Sequence, residues 1–157
     1  MAKYFPKENT KIDANFFARD SESVARDLLG KILVKGNMNG MLYAQLNEIA
    51  PWSGNKDSMV EQTISAPGTL FVLPRFGKNV LGIATGKEGI HSCVTLIGGN
   101  LYNRKGLDES IRGPGNLSKA LDIDKPTYDG VPIDYSDLWI GGESVDDDKI
   151  LFRSNSF

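Results

Sequence analysis

Residues 31–50 read KILVKGNMNGMLYAQLNEIA, and this stretch decides the fold. Two apolar runs flank the turn-forming segment NMNG at 37–40, a pattern that predicts a β-hairpin. Side chains alternate between the two faces of a strand. In the second strand, one face would carry Leu42, Ala44, Leu46, Glu48 and Ala50. The hairpin therefore places a single carboxylate, Glu48, on an apolar face.

The segments around the hairpin predict a mixed α/β fold. Residues 21–30, SESVARDLLG, predict a short helix with Ser21 as N-cap and Gly30 at its end. After a Gly-rich loop, GPGNLSKALDI at 113–123 predicts a second short helix, capped by Asn116 or Gly115. Further strands are predicted at 69–73, 79–85, 90–97, 137–141 and 149–153.

The composition is that of an ordinary globular protein. The 157 residues, 40% hydrophobic and 24% charged, match one domain spanning 1–157. No apolar run approaches the roughly 20 residues of a membrane helix, and the N-terminal MAKYFPKENT lacks the apolar core of a signal peptide. A single cysteine and a single histidine are too few for a structural zinc site. We therefore expect a cytoplasmic, nucleoid-associated monomer, or a nuclear one in a eukaryote, with no metal and no cofactor.

Charge is distributed unevenly along the chain. Between Phe71 and Lys119, seven cations face three carboxylates, a balance of +4. From Ala120 onward, three cations face nine carboxylates, a balance of −6. The central region can therefore meet the phosphates of a nucleic acid, although the whole chain carries a net charge of −2.

Glu48 is the leading candidate for chemistry. A carboxylate on an apolar strand face costs desolvation free energy unless it is paired or opens onto a pocket. The alternative is a Glu near a strand end that turns to water or pairs with a nearby cation. Neither His91 nor Cys93 has an evident orienting acid in the sequence, so the sequence predicts no Ser-His-Asp or Cys-His nucleophile.

Residues 73–79, LPRFGKN, predict a hairpin tip that carries an aromatic side chain. Phe76 lies next to Gly77, with Arg75 and Lys78 on either side. An exposed aromatic residue between two cations suits a wedge that enters a DNA groove while its neighbours contact phosphates. The alternative is a Phe76 that folds back onto the core.

The order of these segments resembles that of the alkyladenine (methylpurine) DNA glycosylases. The shared pieces run from FFARDSESVARDLLGKILVKG at 16–36 through LNEIA, PGTLFV and FG to GPGNLSKALDI and LWI. ARDLLGK and GPGNLSKAL are the most specific of them. The resemblance implies one mixed α/β domain around a curved antiparallel sheet flanked by short helices. It also implies an enzyme that flips a damaged purine out of duplex DNA and hydrolyses its N-glycosidic bond without a metal.

The resemblance also implies roles for particular residues. Glu48 takes the position of the family's catalytic Glu, and Phe76 that of its intercalating Tyr. Ala50 stands where the family has a base-stacking Tyr, and Trp52 lies nearby as a possible replacement ring. Leu73 stands for a second Tyr, and Ile83 for an Asn. The predicted substrate contacts are Ala50, Trp52, Phe71, Leu73 and Ile83, and the predicted DNA contacts are Arg75, Phe76, Lys78, Arg112 and Lys119.

These features predict a monofunctional DNA glycosylase that acts on an alkylated adenine or guanine in double-stranded DNA. No lysine adjoins Glu48 to act as a Schiff-base nucleophile. With Leu73 and Ile83 in place of polar side chains, the pocket should favour cationic alkylpurines over neutral hypoxanthine. Two alternatives stay open: a non-catalytic nucleic-acid-binding module on the same fold, and a glycosylase redirected to another modified base.

Overall fold

The computed structural model describes residues 5–37, 40–53, 65–75, 77–87, 91–135 and 137–142. Within these ranges seven strands form one antiparallel sheet in the order β3-β4-β5-β2-β1-β7, and β6 pairs with the C-terminal half of β5. Their bounds are β1 (Ile32–Asn37), β2 (Gly40–Ser53), β3 (Leu70–Arg75), β4 (Lys78–Ala84), β5 (Ser92–Tyr102), β6 (Asp108–Arg112) and β7 (Leu138–Gly141). The predicted hairpin is confirmed as β1 and β2.

Strand β5 is longer than the sequence predicts. The expected Gly-rich loop is in fact the second half of β5, which runs through Gly98 and Gly99 to Tyr102, and β6 follows it. The two glycines allow a close approach between strands. A Cβ atom on Gly99 would lie 3.1 Å from the backbone oxygen of Gln45 on β2.

Three short α-helices are present in the described ranges: α1 (Ser21–Leu28), α2 (Pro114–Ala120) and α3 (Lys125–Tyr128). Two predicted caps are wrong. Asp20, not Ser21, caps α1 by accepting from the Ser23 backbone N–H at 2.9 Å. Gly113 is the N-cap of α2, because the helix already begins at Pro114; Asn116 lies inside its first turn and donates to the Arg112 carbonyl. The sequence did not predict α3, and the predicted strand at 149–153 lies outside the described residues.

The helices α1 and α2 cover one face of the sheet, which we call the core face. The apolar side chains of α1 that enter this core are Val24, Ala25 and Leu28; Leu117 of α2 and Leu121, directly after α2, enter it from the other helix. They pack on strand residues that include Leu33, Ala44, Leu46, Ile49, Val72, Leu81, Ile83, Val94 and Leu96. The expected class, a mixed α/β fold around a curved antiparallel sheet with short flanking helices, is confirmed.

Strand β3 lies at one end of the sheet, where its outer edge needs hydrogen-bond partners. The backbone of residues 130–131 pairs with both polar groups of Leu70 at 2.8 Å. Side chains satisfy the next pair of groups: Asp129 Oδ1 accepts from the Val72 N–H at 2.8 Å, and Lys125 Nζ donates to the Val72 carbonyl at 3.0 Å. A segment around α3 therefore closes this edge.

Replacing Asp129 by Ala should lower the free energy of unfolding by about 1–3 kcal/mol, because the Val72 amide loses its acceptor. Asp129→Asn keeps an acceptor oxygen in place and should recover most of the loss. Urea denaturation of the two variants and the wild type measures the difference. Equal midpoints for Asp129→Ala and wild type would show that water replaces the carboxylate at no cost.

Candidate active site

The sheet face opposite the core face carries Glu48 and four of the five predicted substrate contacts. Direct cross-strand partners share a face. Ala50 on β2 pairs with Thr95, Thr95 with Gly82, and Gly82 with Phe71 on β3. Two pairs further along, and so on the same face, Trp52 is opposite Cys93 and packs on the apolar cluster of Phe71, Leu73 and Cys93. We call this the second face; its candidate residues are Glu48, Ala50, Trp52, Phe71 and Leu73.

Glu48 reaches the second face because β2 and β5 change register beside it. Leu46 pairs with Gly99 and Glu48 with Gly98, which leaves Asn47 as an extra residue in β2. Ile49 then pairs with Leu96, which leaves Ile97 as an extra residue in β5 and restores the original register. An extra residue of this kind is a β-bulge, and it changes which residues point to each face. A Cβ on Gly98 would lie 3.0 Å from Asn47 Oδ1 and 3.5 Å from Glu48 Cβ. Both bulge side chains therefore point to the side of Gly98 that faces away from the core.

The prediction that Glu48 lies on the same sheet face as Ala44 and Leu46 is therefore wrong. The alternation placed Glu48 with Ala44 and Leu46, whose side chains do lie in the main core. Beyond the bulge, Ile49 continues the core face, and Glu48 and Ala50 turn to the second face. The carboxylate consequently avoids burial among aliphatic side chains, and its side chain is 16% exposed.

Of the predicted substrate contacts, Ile83 is not brought together with Glu48. Ile83 is fully buried in the main core on the core face, so the prediction that it lines the pocket is wrong. Its neighbour Gly82 belongs to the second face, and a Cβ there would overlap the Phe71 ring. The ring of Phe71 therefore lies over Gly82 as a buried wall, and half-buried Trp52 supplies a second aromatic surface.

Glu48 forms an ion pair with Arg112, the last residue of β6. Glu48 Oε1 lies 3.3 Å from Arg112 Nε, and the Arg112 side chain is 68% exposed. Gly98 pairs with Glu48 on one side and with Arg112 on the other, so it separates the two charges in the sheet. Since Gly98 has no side chain, the Arg112 side chain can pass over it and reach Glu48. The structure thus shows the alternative in which Glu48 pairs with a nearby cation. This ion pair lies on the second face.

Arg112 is in turn connected to the β3–β4 hairpin. Asn116 Nδ2 donates to the Arg112 carbonyl at 3.0 Å, and Lys78 Nζ donates to Asn116 Oδ1 at 2.6 Å. The sequence interpretation missed this role of Asn116, because an asparagine after GPG was interpreted as a helix cap. The link joins a predicted DNA contact, Lys78, to the residue paired with Glu48.

Arg112, Asn116 and Lys119 also line an open groove of about 600 Å³ between β6 and α2. Two predicted DNA contacts, Arg112 and Lys119, are therefore brought together. Arg75 is exposed at the end of β3. The predicted wedge, Phe76, lies outside the described residues.

Cys93 is fully buried on the second face. Burial raises the pKa of its thiol to about 12, against a smaller opposing effect of the Thr95 side chain. Because the thiolate is the nucleophile, a thiol with this pKa is unreactive at neutral pH. Cys93 is suited to packing beneath Trp52 and not to covalent catalysis.

The native protein should therefore react negligibly with a thiol reagent such as 5,5′-dithiobis-(2-nitrobenzoate) at pH 8. Unfolding in urea should expose one reactive thiol per chain, since the sequence contains one cysteine. Absorbance of the released chromophore measures both states. Rapid stoichiometric labelling of the folded protein would contradict the buried, protonated thiol.

Among the residues that the structure describes, no group of three or more His, Cys, Asp or Glu side chains could hold a metal ion. None of the described helices is both long enough and apolar enough to cross a membrane.

The fold and the partly exposed Glu48 were compared with what known protein families indicate for this chain. The family model for methylpurine-DNA glycosylase matches residues 15–154. The chain belongs to this family, and the resemblance seen in its sequence is confirmed. Membership supports a DNA glycosylase, a hydrolase of DNA repair.

Individual relatives cover most of the chain. A "Putative 3-methyladenine DNA glycosylase" of Anaeromyxobacter sp. (strain Fw109-5) is 32% identical over 142 residues, covering 83% of this chain and 72% of the relative. A protein of the same name from Sodalis glossinidius is 32% identical over 128 residues, covering 74% and 72%. The one from Aeropyrum pernix is 28% identical over 162 residues, covering 93% and 78%.

Proposed function

We propose that this protein is a monofunctional DNA glycosylase that flips an alkylated purine out of duplex DNA and hydrolyses its N-glycosidic bond, with Glu48 as general base. The observation that carries the proposal is the position of Glu48. A register shift turns this carboxylate away from the core to the second face, where it is partly exposed beside Arg112. The family of the chain supports the reaction class.

One carboxylate is sufficient for this reaction. As the bond between the purine nitrogen and sugar C1′ breaks, its electron pair leaves with the base and positive charge develops on the sugar. Glu48 can accept a proton from water as the water oxygen bonds to C1′, and the ionised carboxylate also stabilises the developing positive charge. The products are the free base and an abasic sugar that bears the new hydroxyl group.

The walls of the proposed base pocket are mainly apolar. Phe71 and Leu73 are buried and Ala50 is small, so hydrogen-bond recognition of the base edge is limited on this part of the second face. Trp52, half-buried against Phe71 and Leu73, is the ring that we propose stacks on the flipped base. Discrimination should then depend on how readily the base leaves, because apolar walls distinguish bases only weakly.

The proposed DNA contacts are Arg75, Lys78 and Lys119, which neutralise phosphates, and Phe76, which stays the predicted wedge. Both lysines are exposed: Lys119 lies on α2, and Lys78 is hydrogen-bonded to Asn116 of α2. Lys78 follows the hairpin tip and also binds Asn116, so a phosphate contact there would lie close to the groove beside β6. Such contacts give affinity without sequence preference, as a repair enzyme requires.

Replacing Glu48 by Gln preserves shape but removes the proton acceptor. Excision at saturating enzyme should fall on the order of a hundredfold or more while duplex binding is retained. Single-turnover release of 7-methylguanine from a defined duplex measures the rate, and fluorescence anisotropy measures binding. The matched control is Glu22→Gln, on α1 at the other side of the sheet, which should excise at the wild-type rate.

The outcomes test the non-catalytic alternative and the role of Glu48. Wild-type protein that binds duplex DNA but releases no base would favour the non-catalytic binding module. Release that is unaffected by Glu48→Gln would exclude Glu48 as the general base.

A matched panel of duplexes tests the substrate class. A cationic 3-methyladenine or 7-methylguanine leaves as a neutral base, whereas hypoxanthine needs a proton or hydrogen bonds that the apolar walls do not supply. We therefore expect excision of the two cationic lesions to exceed that of hypoxanthine, measured as single-turnover rates in one sequence context. Faster release of hypoxanthine would contradict the proposed apolar pocket, and activity confined to another modified base would favour the redirected glycosylase.

A further inference from the structure

We propose that Arg112 is a positioning residue for Glu48: its guanidinium fixes the orientation of the carboxylate for the attack on the sugar. The inference rests on the proposed function of Glu48 and goes beyond it, because the sequence predicted Arg112 only as a DNA contact. The contact that carries it is the 3.3 Å distance between Arg112 Nε and Glu48 Oε1.

The strand pairing of the sheet brings the side chains of Glu48 and Arg112 together. Glu48, Gly98 and Arg112 lie side by side on three adjacent strands, β2, β5 and β6. A side chain on Gly98 would be tightly placed in this row, because its Cβ would lie 3.0 Å from Asn47 Oδ1 and 3.1 Å from the Ile111 carbonyl oxygen. The glycine therefore leaves a direct path for the arginine to reach the carboxylate.

The backbone of Arg112 is also held in place. Arg112 ends β6, and Gly113, at φ +106°, turns the chain directly into α2. Asn116, in the first turn of that helix, donates to the Arg112 carbonyl at 3.0 Å and accepts from Lys78 at 2.6 Å. A guanidinium carried by a strand residue that pairs with Gly98 and whose carbonyl accepts a hydrogen bond from Asn116 is well suited to orient a partner side chain.

The position of Arg112 distinguishes it from the other cation of the groove. Lys119 lies on α2, is exposed and lines the same groove. Arg112 Nε contacts Glu48 Oε1, so the positive charge of Arg112 lies beside the carboxylate and not only in solvent. A phosphate contact should govern DNA affinity and its salt dependence. A positioning residue should govern the excision rate at saturating DNA binding.

The test is a double-mutant cycle with wild type, Arg112→Gln, Glu48→Gln and the double variant. Single-turnover excision of 7-methylguanine is measured at saturating enzyme, and duplex affinity is measured between 50 and 200 mM salt, a range over which phosphate contacts are sensitive. Arg112→Gln should reduce the saturated rate by about tenfold or more, because small misplacements of a catalytic group have large effects. The salt dependence of binding should change little, and the substitution should have no further effect when Glu48 is already Gln.

Two further variants serve as controls. Arg26→Gln removes an arginine that pairs with Glu22 at 2.9 Å on α1, and it should leave the rate unchanged. Arg112→Lys retains the charge without the planar fork and should excise faster than Arg112→Gln. Thermal denaturation of each variant verifies folding, and Arg112→Lys enters the cycle if the Gln variant is unfolded.

Each result has one interpretation. A saturated rate unchanged by Arg112→Gln, or an equal fall in the Glu48→Gln background, would overturn the positioning role. A loss confined to affinity and salt dependence would return Arg112 to the phosphate contacts. Absence of excision by the wild type would overturn the proposed function itself, and failure of Glu48→Gln alone to reduce excision would remove Glu48 as the group that Arg112 positions.

Discussion

The pair of local register irregularities between β2 and β5, one on each side of Glu48, is the constraint on which the candidate site depends. A one-residue change in phase moves every later side chain of a strand to the other face. Here the extra Asn47 allows β2 to contribute Leu46 and Ile49 to the core while Glu48 between them faces outward. An unbroken strand would bury the carboxylate among aliphatic side chains, at a cost that only pairing or protonation could reduce.

Two glycines make this shift compatible with a closely packed sheet. Gly98 and Gly99 lie inside β5, where glycine is unfavourable for a strand because it has no side chain to pack. Their cost is offset by what they permit: Gly99 lies close to the β2 backbone, and Gly98 leaves room for the Arg112–Glu48 pair. The weak strand signal and the structural role therefore have the same origin, the missing side chain.

The sequence predicted those parts of the fold that follow from local periodicity. The β1–β2 hairpin and α1 have clear patterns, and both are present. The alternation of apolar and polar residues does not reveal the bulge at Asn47, so the sequence placed Glu48 on the wrong face of the sheet. The resemblance to the family assigned Ile83 to the pocket, because Ile83 takes the position of a family Asn. Its side chain nevertheless points to the core face of β4. The edge-closing contacts of Asp129 and Lys125 join distant segments and are invisible to any local pattern.

The site is likewise assembled from segments that are distant in sequence, and this has an electrostatic consequence. Glu48 on β2 and Arg112 on β6 meet only because β5 lies between them. Opposite charges at 3.3 Å largely cancel at a distance, so a cationic base gains little attraction from the pair before it is close. In the proposed reaction, any preference for cationic alkylpurines should therefore arise while the glycosidic bond breaks, because the charge on the sugar then develops next to the Glu48 carboxylate and the purine departs as a neutral base.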